Sequence, residues 1–171
     1  MIYLLILLAF LADRVSKIWA AAYLMENGRT QINPYLTIAE AYNQGIAFGL
    51  FQGIGPVVGW LTVAVVVGLL VYLHRLPREQ WLTRMGLAIL IGGALGNQID
   101  RLWAGEVLDF IIIPLQPGIF NVADVMIYLG LMLVILGAFI HRSPVKNGLE
   151  TAKENGSRVV APEPGRRKKT S

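Results

Sequence analysis

Apolar residues run along this chain in four long blocks separated by more polar stretches. The first extends from Ile2 to about Leu24 and is interrupted by Asp13, Arg14 and Lys17. The second, Pro56 to Leu73, carries no charge. The third, Leu82 to Leu102, closes on Asn97, Asp100 and Arg101; the fourth, about Val122 to Ile140, has Asp124 in its first turn. A helix of about 20 mostly apolar residues, rising about 1.5 Å per residue, crosses the ~30 Å core of a bilayer. The pattern therefore predicts four transmembrane helices. The run Ile2 to Ala12 has the length of a signal-peptide core, but no basic residue precedes it and the segment stays apolar beyond its charges. A retained first helix is expected.

The intervals between the blocks differ in kind. Residues 25–55 place Tyr, Ile, Thr and Phe between Gly, Asn and Pro, a mixture that suits short strands and a surface helix. Residues 103–120 contain Asp109 and the run Phe110-Ile111-Ile112-Ile113-Pro114, too short to span and rich in β-formers. An extended segment at the membrane interface is expected there. Residues 141–171, rich in Pro, Gly, Lys and Glu, read as a basic, disordered tail. Residues 1–140 are left as one transmembrane domain. No internal repeat is evident.

Composition narrows the class. Of the first 140 residues, 88 are apolar, and charged residues make up only 15% of the chain, against about 25% in an average soluble protein. Such a chain cannot cover itself with a polar shell, which excludes an ordinary cytosolic globule. There is no cysteine, which removes disulfides, thiolate metal sites and cysteine nucleophiles. The formal charge of +4 is largely a matter of placement. Arg75, Arg78 and Arg84 lie between the second and third helices, and eight Lys or Arg lie beyond His141. Only Arg29 lies between the first and second helices, and none between Trp103 and Phe120. By the positive-inside rule both termini and residues 74–84 are cytoplasmic, and residues 25–55 and 103–120 face outward. The run Arg166-Arg167-Lys168-Lys169 adds affinity for anionic lipid. No nucleic-acid partner is expected.

Ionisable groups inside membrane helices cost at least ~2.5–3.5 kcal/mol each on insertion scales, so they are candidates for function. On the expected topology Asp100, Arg101, Asp109, Asn121 and Asp124 gather near the outer face, and Asp13 and Lys17 approach from the first helix. Plainer readings exist for several. Asp13 and Lys17 are spaced i,i+4, as in an intrahelical ion pair. Asp100 and Arg101 suit an interfacial helix end with a snorkelling arginine. Asn121 suits an N-cap with Asp124 favoured by the helix dipole. Asn97 is either a link between helices or a group that orients a site. Gly92 and Gly96 form a small-xxx-small pair suited to close helix approach. Asp109, between Leu108 and Phe110, is harder to explain structurally, because a carboxylate in apolar surroundings needs a partner or an altered pKa.

Two carboxylates in one low-dielectric pocket share a proton, so that one activates water while the other donates. Such a pair titrates jointly. Elimination favours this chemistry. The serines are Ser16, Ser143, Ser157 and Ser171, and His74 and His141 are both expected on the cytoplasmic side. Serine–histidine triads and histidine-ligated metal sites lack parts on the outer face.

Five motifs, in order along residues 1–140, resemble signal peptidase II, the lipoprotein signal peptidase family of bacterial aspartyl membrane proteases. They are Asp13-Arg14-Val15-Ser16-Lys17, Asn43-Gln44-Gly45-Ile46-Ala47-Phe48, Gly92 to Arg101, Val107-Leu108-Asp109-Phe110 and Phe120-Asn121-Val122-Ala123-Asp124. The resemblance implies an all-α membrane protein of four transmembrane helices with a small extracytoplasmic β-cradle and a surface helix. It implies Asp109 and Asp124 as the catalytic dyad, with Asp13, Lys17, Asn43, Asn97, Asp100, Arg101 and Asn121 supporting the site or binding substrate. It implies cleavage of prolipoproteins before a diacylglyceryl-modified cysteine, at the outer face of the bacterial cytoplasmic (inner) membrane. It implies no metal or cofactor, and inhibition by cyclic peptides such as globomycin. The chain departs from the family pattern at Arg14 and Ser16, where Gln and Thr are expected, and at Ile46, where Ala is usual. A proton-coupled transporter is the rival function, since carriers also hold intramembrane charges, and a non-enzymatic scaffold is a third. The gathering of charge at one face, with apolar middles in the second and fourth helices, favours the peptidase.

Overall fold

The protein is seen in a computed structural model that describes residues 1–45, 55–114 and 117–141. It divides after His141; the expected tail from 142 on, and the Ile46-Ala47-Phe48 part of the second motif, lie outside the described residues.

Four helices and three strands follow in the order α1 (Ile2–Asn27), β1 (Thr30–Asn33), β2 (Leu36–Asn43), α2 (Gly55–Arg75), α3 (Trp81–Trp103), β3 (Val107–Ile112) and α4 (Val122–Ile140). Each apolar block became one helix, with ends within three residues of those expected. The α2 end is closed from the next helix: Arg84 Nη1 donates to the Leu73 and Leu76 carbonyls at 3.2 and 2.5 Å. The orphan carbonyls of a helix C-terminus find a cation there.

Helix α3 is central, packed against α1, α2 and α4. Its glycines explain how three partners fit round one helix. A Cβ on Gly92 would lie 2.5 Å from the Ala9 Cβ and 2.6 Å from the Ile6 carbonyl oxygen, and a Cβ on Gly96 would collide with the Asp13 carboxylate. The expected small-xxx-small pair thus faces α1. Gly86 meets the Gly130 carbonyl of α4, and Gly130 meets that of Gly86. Only residues without side chains allow backbones this close. Ile6, Leu87, Ala88 and Ile91 bury the seam between α1 and α3, with Val66 and Leu73 of α2 in the same cluster.

The segments expected to be extended form one antiparallel sheet in the order β1-β2-β3. Asn43 pairs with Val107 and Ala41 with Asp109, with an irregularity between Ile38 and Ala41. The sheet docks on the last turns of α1, where Ala20 and Leu24 pack with Ile38 and Phe110. Alternation along β3 then directs Asp109 to the face opposite Phe110. Between α1 and α2 no helix occurs among the described residues. The surface helix expected in that segment is therefore not seen there, and residues 46–54, the rest of the segment, lie outside the described residues.

Candidate active site

The site begins as a neutral set of four charges between α1 and α3. Lys17 is 3% exposed and Asp13 is 0% exposed. The Lys17 ammonium donates to Asp100 Oδ2 at 2.6 Å and to Asn97 Oδ1 at 2.8 Å, and it forms an ion pair with Asp13 Oδ2 at 3.0 Å. Arg14 Nη1 completes the set, donating to Asp100 Oδ1 at 2.5 Å and to the Gly96 carbonyl at 3.1 Å. Two cations and two carboxylates cancel, which is the condition for burying charge at tolerable cost. Asp13 reaches further. Its Oδ1 accepts from the backbone N–H of Ala123, 110 residues along the chain, in the first turn of α4. An anion from α1 thus helps cap α4.

From Lys17 the hydrogen bonds lead through two amides to two carboxylates. Asn97 Nδ2 donates to Asp124 Oδ1 at 2.8 Å. Asn121, wholly buried, donates through Nδ2 to Asn97 Oδ1 at 3.1 Å and to Asp109 Oδ1 at 2.6 Å, and accepts from the Asp124 N–H at 3.1 Å. Asp124 Oδ2 accepts from the Asn121 N–H at 3.1 Å, closing a capping box. The amide of Asn121 therefore fixes its own orientation, since its oxygen must face an N–H and its nitrogen the carboxylate. Asn43 Nδ2, on β2, donates to Asp109 Oδ2 at 3.2 Å. Burial is the largest influence on Asp109 and the Asp124 charge adds to it; together they outweigh the bonds from Asn43 and Asn121 and raise its pKa from 3.8 to about 6. Arg101 is half-buried and donates through Nη2 to the Gly45 carbonyl at 3.2 Å, with Asp124, Asp109 and Asp100 as its anionic surroundings.

All nine residues singled out in the sequence meet in this region. The plain readings fare unequally. Asp13 and Lys17 do form an i,i+4 pair, but each also binds another helix. Asn97 both links helices and orients a carboxylate. Asn121 is an N-cap, and the same residue holds both carboxylates, Asp109 through its side chain and Asp124 through its backbone N–H. The snorkelling reading of Asp100 and Arg101 is corrected: Asp100 is bound by Arg14 and Lys17, and Arg101 turns to the backbone of Gly45. Sequence reasoning left out Arg14, whose charge inside an apolar block was signal enough. It also left out Gln98, buried at 4% exposure, whose Nε2 and Oε1 find no hydrogen-bond partner among the described residues.

Fold and cluster together define a class: a small helical membrane enzyme with its polar groups gathered where an apolar bundle meets a short sheet. Two solved structures described as bacterial membrane enzymes share the fold. One has a TM-score of 0.72 and 25% identity over 84% of this chain and 90% of its own; the other has 0.71 and 27% over 82% and 92%. A profile of signal peptidase (SPase) II matches residues 5–140. The lipoprotein signal peptidase of Shewanella loihica is 36% identical over 88% of this chain and 92% of its own, and that of Geobacillus thermodenitrificans is 35% identical over 85% and 94%. The chain belongs to the signal peptidase II family. It is accordingly a peptidase and a membrane protein, and the transporter alternative is not supported.

Proposed function

We propose that this chain is an aspartic endopeptidase that removes the signal peptide from prolipoproteins, with Asp109 and Asp124 as its catalytic pair. The observation that carries this reading is Asn121, one buried residue that donates to the Asp109 carboxylate through its side-chain amide and to the Asp124 carboxylate through its backbone N–H. Two carboxylates held by one residue, one of them raised to about 6, suit a pair that shares a single proton. One carboxylate takes a proton from the attacking water as the other protonates the substrate. The pair then reverses roles as the amine leaves. Asp13, Lys17, Asn97, Asp100 and Asn121 hold the pair in place, Asn43 orients Asp109, and Arg101 supplies nearby positive charge. No metal or cofactor enters this scheme.

The cleaved bond lies before a diacylglyceryl-modified cysteine. Lipid on the substrate explains why the enzyme lies in the bilayer: the acyl chains stay among lipid while the peptide reaches a site at the outer interface. In this reading residues 1–140 form the peptidase domain, and all four helices span the inner membrane of a bacterium with both ends in the cytoplasm. Asp13, Arg14 and Lys17 lie midway along α1, so the residues that build the site are also those that lower its hydropathy.

The test is cleavage of a diacylglyceryl prolipoprotein by the purified protein in detergent. Asp109→Asn and Asp124→Asn should each lower turnover by roughly 10²–10⁴-fold, the usual weight of a positioned acid or base, while melting as folded proteins. Globomycin should inhibit the unmodified chain. Turnover near the unmodified level in either variant would remove that aspartate from the mechanism.

A further inference from the structure

Three amide side chains lie buried in or beside this site, and two of them are fully engaged. Asn97 and Asn121 use both their donor and their acceptor sides on charged or backbone groups. Gln98 is as buried as Asn97, at 4% exposure, yet neither its Nε2 nor its Oε1 has a partner among the described residues. One turn further along the same face of α3, the Arg101 Nε is likewise buried and unpartnered. Helix α2 covers this face at Gly59. A Cβ built there would lie 3.6 Å from Gln98 Nε2 and 3.6 Å from Arg101 Cβ.

Buried polar groups without partners are uncommon and costly, and each asks for an explanation. Three of them lie on one helix face, at the α2–α3 seam and opposite a residue with no side chain. The position of the seam is suggestive, because Gln98 follows directly on Asn97, which holds Asp124. We propose that Gln98 reads the main chain of the substrate peptide when the α2–α3 seam parts to admit it. Nε2 donates to a peptide carbonyl and Oε1 accepts from a peptide N–H. A peptide bond supplies both complements, whereas the esters of a lipid supply acceptors only and would leave Oε1 unpartnered. The inference rests on the peptidase reading above.

It predicts two effects of opposite sign. Gln98→Leu and Gln98→Met remove the unpartnered amide and close the seam with apolar atoms. Both variants should melt at a higher temperature than the unmodified chain, and KM for a prolipoprotein peptide should rise roughly tenfold with kcat little changed, as for the loss of main-chain hydrogen bonds. Substrates with single backbone esters on the signal-peptide side, each lacking one N–H, identify the partner. One ester should raise KM in the unmodified enzyme and not in the variants. A KM equal to that of the unmodified enzyme, with every ester costing the same in all three proteins, overturns the inference, as when a bound water satisfies the amide. If the unmodified chain cleaves none of these substrates, the peptidase reading itself falls.

Discussion

Asp109 is caught between opposing influences. Two amides hydrogen-bond its carboxylate, but burial and the Asp124 charge win, and its pKa rises from 3.8 to about 6. A carboxyl whose folded pKa is raised binds a proton in the native state that the unfolded chain has already lost. Stability therefore falls as pH rises from about 4 to about 6, and the loss persists above. At about 1.4 kcal/mol per pH unit, the ionised form costs the fold about 3 kcal/mol at most. Asp109→Asn, which cannot ionise, escapes this. Its stability relative to the unmodified chain should improve by up to that amount between pH 4 and pH 7, as read from melting curves in detergent. A pH-independent difference would show that Asp109 is not strained by its charge. Lys17 is the complementary case. Lys17→Met leaves Asp13 and Asp100 short of a cation in a buried setting, and a loss of about 3–5 kcal/mol is expected. Both residues were legible in the sequence because a charge among apolar neighbours has few harmless explanations. Gln98 was not: a neutral amide beside Asn97 looks unremarkable until its missing partners are seen.

At the scale of elements, helices and strands were legible because their periods and lengths differ, and the capping box at Asn121 and Asp124 because its spacing is local. Which helix lies against which was not, since no local rule states that Asp13 packs on Gly96 or accepts from Ala123. That information resides in the glycines of α3, which let α1 come close enough for Lys17 to reach Asn97 and Asp100. Gly92→Ala tests the point. Its new Cβ would press on Ala9 and on the Ile6 carbonyl, and overpacking of this kind costs about 1–3 kcal/mol. The backbone oxygen cannot rotate away, so α1 must shift and carry Asp13 and Lys17 with it. Turnover should fall along with the melting temperature, although residue 92 touches no group of the site. Unchanged turnover in a destabilised variant would separate the helix crossing from the chemistry.

At the scale of the whole molecule, the same few charges serve two ends. Among the described residues helix α4 is the one long and apolar enough to cross a membrane, and only 17% of it is buried. A helix that apolar and that exposed needs an apolar medium. Helices α1 and α3 are as long, but the residues that pair between them also make them more polar. Paired between α1 and α3, those charges need not meet lipid, which makes the proposed four spans compatible with the lower hydropathy of these two helices. On that reading the positive-inside rule predicts an orientation, because Arg75, Arg78 and Arg84 fall at the end of the bundle away from Asp109. The chain has no cysteine of its own, which makes the orientation directly measurable. A single cysteine introduced by Gln31→Cys on exposed β1 should react with a membrane-impermeant maleimide in intact spheroplasts. One introduced by Glu79→Cys, in the exposed turn between α2 and α3, should react only after the membrane is opened. The reverse order would turn the protein over and place the carboxylates in the cytoplasm. Labelling of both in intact spheroplasts would mean that α2 does not cross, and the lipid-facing site would have to be rebuilt on fewer spans.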